Sequence, residues 1–379
     1  MDKVDRDIMA LALTKGLGAR SIVKILRDVD DTEEVFTMPA RRLAELTGGR
    51  FSDTAAVKAA RDSRKLAEEL EYIEKEGITL LCYGTRGYPE VLMDIYDPPA
   101  VLFCKGKLQG DEANAVAIVG SRRCSLYGLQ MAEQLAFALA VKGVTVISGM
   151  ARGIDSAAHR GALRAGGRTV AVMGSGFGHV YPPGSGKLFS AICESGAVLT
   201  EYTSDTFPER GNFPRRNRII SGMAKGVVVV EATRKSGAMI TVDLALDQGR
   251  EVFAVPGRAD SLTSGGTNEL IQNGAKLVMS ADDILEDLDP GRRFQVSGLR
   301  GKGETEENRR EHRRKIGKNG LKVLDALEKG PAHIDLISEL TNIDLSELAE
   351  ELLRMEIKGF VKAEAGSRYS IRDTQNSIL

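Results

Sequence analysis

Ala115-Val116-Ala117-Ile118-Val119-Gly120-Ser121-Arg122-Arg123 is the stretch from which the fold of this chain is read. Five consecutive apolar residues predict a strand buried on both faces, and the glycine, hydroxyl and two cations behind them predict a tight turn into a helix. Further apolar runs recur at Thr145-Val146-Ile147, Thr169-Val170-Ala171-Val172-Met173, Ala197-Val198-Leu199, Gly226-Val227-Val228-Val229-Val230 and Glu251-Val252-Phe253-Ala254-Val255. Between them lie helical patterns, among them Leu129 to Lys142, Asp155 to Ala165 and Met239 to Gln248. Strands that alternate with helices run parallel with right-handed crossovers, so the expected class is α/β, a doubly wound Rossmann-like parallel sheet. Glycine usage agrees, since 23 of the 41 glycines fall between positions 113 and 280, where strand-to-helix turns need them.

Working outward, residues 1–77 are rich in Ala, Leu, Arg and Glu, with Leu66, Leu70 and Ile73 on one helical face, and predict a small all-helical domain. Residues 78–112 form a lead-in whose Pro89, Pro98 and Pro99 fix turns, so the core domain is placed at 78–286. Residues 287–318 are charged and poor in apolar side chains, which predicts a linker. Residues 319–373 offer helices at Leu321 to Leu327, Ile334 to Leu340 and Leu345 to Ile357, then short strands around a Gly366 turn, the order of a winged helix.

A chain of 379 residues and 40.9 kDa is long enough for two or three domains, and 42% hydrophobic with 28% charged residues is the balance of a chain that buries real cores. No apolar run approaches the roughly 18 residues of a membrane-spanning helix. Charge at Asp2, Lys3, Asp5, Arg6 and Asp7 argues against a signal peptide, so a cytoplasmic location is expected. Cys82, Cys104, Cys124 and Cys193 show no CxxC pairing and read as reduced, mostly buried thiols. His159, His179, His312 and His333 are scattered, so neither a metal site nor a cofactor is expected. The net charge of −1 hides an uneven distribution: positions 113–280 hold 18 Lys and Arg against 12 Asp and Glu, a local +6 that leaves −7 for the rest. A basic middle between acidic flanks suits a phosphate backbone.

Ligands of open α/β sheets sit beyond the carboxyl ends of the strands. Gly120-Ser121-Arg122 lacks the G-x-G-x-x-G spacing of a dinucleotide site, but its small residues admit a phosphate to backbone amides and Arg122 can close on it. Ser148-Gly149-Met150-Ala151-Arg152-Gly153-Ile154-Asp155 is another hydroxyl-glycine loop, with Asp155 a candidate N-cap. A Ser148, Asp155 and His159 hydrolase is conceivable on residue types, but no G-x-S-x-G elbow is present, and an Asp and a His on one helical face more often pair structurally. Gly184-Ser185-Gly186-Lys187-Leu188 imitates a P-loop but has Tyr181 and Leu188 where glycine and a hydroxyl are required. The densest signal runs from Phe207 to Gly222: Arg210, Arg215, Arg216 and Arg218 lie within nine residues, interleaved with Phe207, Phe213 and Asn217. Cations for phosphates and a ring for a base are what grips single-stranded nucleic acid. The alternative is a solvated arginine face beside a buried Phe, and at least one arginine is expected in structural salt bridges. Lys235-Ser236-Gly237 is a third basic, small-residue loop opening a helix. No matched acid and base stand among the three loops, so binding without chemistry is the simpler expectation and no catalytic residue is assigned.

Taken in order, Gly120-Ser121-Arg122, the Ser148 to Asp155 loop, Phe213-Pro214-Arg215-Arg216-Asn217-Arg218-Ile219-Ile220, Lys235-Ser236-Gly237-Ala238, Val255-Pro256-Gly257 and Gly266-Thr267-Asn268-Glu269-Leu270-Ile271 resemble the DprA/Smf family of DNA-processing proteins. The flanks resemble it too, with a SAM-like helical domain before the core and a winged helix after it. The resemblance implies a non-enzymatic protein that binds and protects incoming single-stranded DNA during natural transformation, forms a homodimer through the Rossmann domain and loads RecA. Carried onto this sequence, it implies that Arg122 and Arg210 hold phosphates, Phe213 stacks a base, and Arg215, Arg216 and Arg218 complete the rim. The dimer surface is expected around Asp247 to Asn273. The stretch Gly174 to Leu188 is richer in glycine than the family pattern, and no contact is assigned there. Gly16-Leu17-Gly18 resembles a helix-hairpin-helix turn, with a plain interhelical turn as the alternative. The third winged-helix segment carries Asp344, Glu347, Glu350, Glu351 and Glu356 against Arg354 and Lys358, which fits protein contact or self-association better than duplex reading. The rival is a nucleotide phosphoribohydrolase-like Rossmann enzyme, whose P-G-G-x-G-T loop and catalytic Glu have no match in Lys235 to Thr241 and Asp243.

Overall fold

The computed structural model describes residues 2–108, 114–288, 318–327, 330–357, 360–364 and 367–371. They belong to two compact units, residues 1–294 and 295–379. Most of the segment expected to be a linker, and the Gly366 turn, lie outside the described residues.

The first unit is built on nine strands: β1 (Thr79–Cys82), β2 (Val101–Gly106), β3 (Ala115–Val119), β4 (Thr145–Ser148), β5 (Thr169–Met173), β6 (Ala197–Thr200), β7 (Gly226–Val229), β8 (Glu251–Ala254) and β9 (Lys276–Leu277). Their order is β1-β2-β6-β5-β4-β3-β7-β8-β9. From β6 to β9 every neighbour is parallel, as the strand and helix alternation predicts. The lead-in does more than connect. It supplies β1 and β2 as an antiparallel edge, with Phe103 opposite Thr200 and Leu81 opposite Leu102. The three prolines occupy the connection between these two strands, and the sequence shows them more plainly than it shows two short buried runs.

Because β3 is buried on both faces, its alternate side chains enter different cores. Val116 and Ile118 join Leu135 and Leu139 of α7 (Leu126–Val141), Ile154 and Ala158 of α8 (Ile154–Arg164) and Ile284 of the helix Ala281–Leu288. Ala115, Ala117 and Val119 face Ile219 and Ile220 of α10 (Asn212–Gly222) and Val242 of α11 (Gly237–Asp247). The helix between, α9 (Gly186–Ser195), adds Ile192. The six amino-terminal helices, α1 (Lys3–Leu13), α2 (Ala19–Asp28), α3 (Glu33–Thr37), α4 (Ala40–Thr47), α5 (Thr54–Arg61) and α6 (Arg64–Glu76), continue this second core through Ile8, Leu11, Ile22, Leu43, Leu66 and Ile73. After β8 the chain forms α12 (Gly265–Gln272), and α13 (Ala281–Leu288) closes the unit.

The second unit is a winged helix. It comprises α14 (Lys318–Leu327), α15 (Ile334–Thr341) and α16 (Leu345–Ile357) with an antiparallel sheet of β10 (Ala332–His333), β12 (Arg368–Ile371) and β11 (Val361–Glu364) in that order. Val323, Leu327, Ile337, Leu348, Leu352 and Met355 form its own core. Among the described residues no helix is long and apolar enough to cross a membrane.

Candidate functional site

The strand order reverses at β3. The chain winds from β3 through β4 and β5 to β6 on one side, then returns to place β7 against β3 on the other. The loops leaving β3 and β7 therefore diverge and open a crevice. It is a cleft of about 600 Å³, walled by Gly120, Ser121, Arg122 and Arg123 after β3, by Arg210, Phe213, Arg216 and Asn217, and by Ser236 and Gly237 at the start of α11.

The loop after β3 is pinned at both ends. Ser121 N–H donates to the Glu231 carbonyl at 2.7 Å, and Ile154 N–H donates to the Ser121 carbonyl at 3.3 Å. The Glu231 side chain accepts from Ser125 N–H (2.8 Å), Ser125 Oγ (2.7 Å) and Thr263 Oγ1 (3.1 Å), which ties the start of α7 to the end of β7. Gly153 lies against this loop at φ +83°, where a Cβ would collide with the Ser121 carbonyl. Gly120 is pressed between Ile154 and the Glu231 carbonyl. The result is a rigid turn that leaves Arg122 exposed, its guanidinium carbon 4.6 Å from the centre of the Phe213 ring.

Phe213 stands in the first turn of α10, half-buried, with Tyr181 5.5 Å away on another side. Tyr181 belongs to the glycine-rich stretch to which no contact was assigned. Its signal is that glycine content: a Cβ on Gly174 would sit 3.0 Å from the Phe213 ring, so the small residue makes room for the aromatic one. On the third wall Ser236 caps α11 by accepting from Ala238 N–H at 3.1 Å, and the amino end of that helix opens on the cleft with its positive field. Lys235 is exposed beside it, while Arg234 pairs with Glu269 at 3.0 Å.

The four arginines of the motif have four different placements. Arg210 is exposed on the cleft. Arg215 is exposed on α10 but is not among the residues lining the cleft. Arg216 lies in the floor of the cleft, 3% exposed, and donates to the carbonyls of Gly149 (2.8 Å) and Val172 and to Asn217 Oδ1 (3.2 Å). Burial pulls its pKa down to about 10, although Asp155 opposes the shift. Its place on the expected rim is corrected to a buried part of the floor, because the guanidinium already has carbonyl partners on two strand ends. Arg218 is turned away into ion pairs with Asp97 (3.0 Å) and Glu201 (2.6 Å), the structural salt bridges expected of at least one of the four. Gly149 serves as the carbonyl partner of Arg216. Ser148 is wholly buried and donates to the Ile118 carbonyl at 2.6 Å, so it holds β4 to β3 rather than facing a ligand.

The hydrolase constellation does not assemble. His159 Nδ1 lies 2.7 Å from Thr169 Oγ1, whose own proton goes to the Val146 carbonyl, so Nδ1 is the donor. Burial pulls the histidine pKa down to about 3, and the buried Nε2 has no hydrogen-bond partner among the described residues. Asp155 is not the N-cap expected of it. Gly153 holds that position, and Asp155, one residue inside the helix, accepts from Ala151 N–H at 3.4 Å with its pKa raised by burial.

Comparison with known proteins places this architecture. Residues 79–289 match the family model of DNA recombination-mediator protein A, and residues 320–367 match the DprA winged helix domain. Protein Smf of Synechocystis is 31% identical, over 96% of this chain and 98% of its own. The crystal structure of DNA processing protein A from Streptococcus pneumoniae superposes with a TM-score of 0.66 at 35% identity, covering 76% of this chain and 99% of that one. A DNA processing protein A from Helicobacter pylori, solved for its single-stranded DNA binding mode, gives a TM-score of 0.51 at 30% identity over 56% of this chain and 96% of its own. With a recombination-mediator core and a winged helix in the same order, and a relative matched along nearly its whole length, this chain belongs to the DprA/Smf family of DNA-processing proteins.

Proposed function

We propose that this chain is a recombination mediator without chemistry of its own, which grips single-stranded DNA in the cleft, protects it during natural transformation and hands it to RecA. One observation carries the proposal: the half-buried Phe213 ring held under the exposed Arg122 guanidinium at 4.6 Å, in a cleft shared with Arg123, Arg210 and the amino end of α11. A ring offers any base a stacking face while the cations take the phosphates, so recognition is indifferent to sequence. The Helicobacter pylori relative that binds single strands supports the assignment. The one carboxylate among the lining residues, Asp155, is buried beside Arg216, which favours binding over acid and base work.

Phosphate contacts fall to Arg122 and Arg210, with Lys235 and Arg215 at the margins and Ser121, Ser236 and Gly237 offering small groups. Gly120, Ser148, Gly149, Gly153, Asn217 and Arg216 shape the cleft, and Arg218 braces α10. The homodimer is proposed at the β8 side of the sheet on the expected Asp247 to Asn273 surface, within which Leu262 is 87% exposed, with the exposed Leu246 one residue before it. Leu262→Glu should then reduce the mass measured by light scattering from that of two chains to one.

Anisotropy of a labelled oligo-dT and of its duplex, over a salt series, tests the cleft. Wild type should prefer the single strand, and Arg122→Ala/Arg210→Ala should flatten the plot of log affinity against log salt by roughly 1.4, about 0.7 for each lost phosphate contact. Wild type that binds neither strand at low salt would sink the proposal. The RecA step is checked by whether the chain speeds RecA assembly on single strands, an effect the double variant should lose.

A further inference from the structure

His179 and Phe207 stack with ring centres 3.8 Å apart and planes 27° from parallel, yet Phe207 is 63% exposed. An exposed ring stacked on a half-buried one needs a reason to be held so closely, and the surrounding loops are built to hold the pair. The loop carrying His179 follows β5, and the loop carrying Phe207 follows β6. Gly176 N–H donates to the Thr206 carbonyl (2.9 Å) and Gly178 N–H to the Ser204 carbonyl (3.0 Å), stitching one to the other. A Cβ on Gly176 would collide with the Thr203 carbonyl, and one on Gly178 would lie 2.6 Å from the Ser204 carbonyl, which accounts for the glycines there. Ser204 is fixed in turn from α6, since its N–H and Oγ both donate to the buried carboxylate of Glu69 at 2.7 Å. Asn212 Nδ2 reaches the Phe207 carbonyl at 3.4 Å and ties the ring to the start of α10.

Both rings are tethered to the cleft. Arg210, three residues beyond Phe207, lines it, and Tyr181, two residues beyond His179, stands 5.5 Å from Phe213. We propose that the His179–Phe207 pair is a second base-stacking platform, which takes an unpaired base of the strand as it leaves the Phe213 cleft. The ligand class is a nucleobase of single-stranded DNA, recognised by its π-face. Because the rings are already fixed, little ordering entropy opposes the stack. The platform rests on single-stranded DNA occupying the cleft.

The chain contains no tryptophan, so Phe207→Trp introduces a sole tryptophan at an exposed position, excited at wavelengths the eight tyrosines do not absorb. Its emission should be quenched on binding an oligo-dT of about twenty nucleotides and not by one of about four, short enough for the cleft alone. Phe207→Ala should weaken the long oligonucleotide about five- to a hundredfold and leave the short one unchanged. Wild-type affinity of Phe207→Ala for the long strand, or full binding of Phe207→Trp by anisotropy with no change in emission, overturns the platform while the cleft stands. Equal losses on both lengths overturn it too, since the pair would then serve the cleft itself. Failure of wild type to bind either length removes the cleft and the platform together.

Discussion

Arg122 and Arg216 both approach Phe213, one at 4.6 Å and the other at 6.0 Å, and their environments give them opposite tasks. Arg122 is exposed, so its charge is available to a ligand and its removal leaves no buried group unsatisfied. Arg216 carries its charge into the interior to serve two carbonyls at the ends of β4 and β5. Arg122→Ala should therefore leave the urea midpoint unchanged and lose single-strand affinity. Arg216→Ala should lower stability by about 2–4 kcal/mol, because two buried carbonyls lose their donor, and its loss of binding would follow from a deformed floor. Equal midpoints for the two variants would contradict this division. Gly153→Ala belongs at the same scale. At φ +83° and against the Ser121 carbonyl it should cost about 1–3 kcal/mol of backbone strain, and also displace Arg122 and weaken binding.

At the scale of elements, the helices that begin the chain are locked by charge as well as by apolar contact. Arg61 on α5 donates two hydrogen bonds to Glu33 on α3, at 2.6 and 2.8 Å, and reaches the buried Asp7 on α1 at 3.2 Å. Those bonds, joined by Lys3 at 2.7 Å, hold the Glu33 carboxyl down to about 2. A carboxyl depressed in the folded state stabilises it above the unfolded value of about 4.3 and loses that contribution as pH falls toward the folded value. Thermal midpoints measured from pH 6 downward should decline more gently for Glu33→Gln than for wild type in that window. Parallel profiles would mean that the pair contributes nothing. The α6 contact is of another kind: Glu69 reaches out of the helical layer to fix the loop after β6, so the first six helices help to position the candidate binding surface.

For the whole molecule, each unit has its own core, and the candidate DNA-contacting groups all lie in the first. In the second, α16 carries Glu347, Glu350, Glu351 and Glu356 against Arg354, and Leu336, Leu340, Leu345 and Leu353 are exposed. An acidic helix beside exposed leucines suits contact with protein better than insertion into a duplex. A chain truncated at residue 294 should bind oligo-dT within about twofold of the full chain, and the winged helix should not raise duplex affinity. A loss of tenfold or more on truncation would assign part of the DNA contact to the winged helix.

From local pattern alone came the six central parallel strands β3 to β8, the positions of their switch-point loops and the winged helix, because strand burial and helix periodicity are written in local apolar pattern. Phe213, Arg122 and Arg210 were legible as site candidates for the same reason: each lies in a loop or first turn that follows a predicted strand. Which arginines face the cleft was decided only by the tertiary structure. Arg215, Arg216 and Arg218 lie within four residues on one helix, and only the packing of α10 on the sheet turns Arg216 toward Gly149 and Val172 and Arg218 toward Asp97 and Glu201. The antiparallel edge and the two ring pairs, His179 with Phe207 and Tyr181 with Phe213, were likewise beyond local pattern, since their partners stand far apart in the chain and meet only when the strand ends come together.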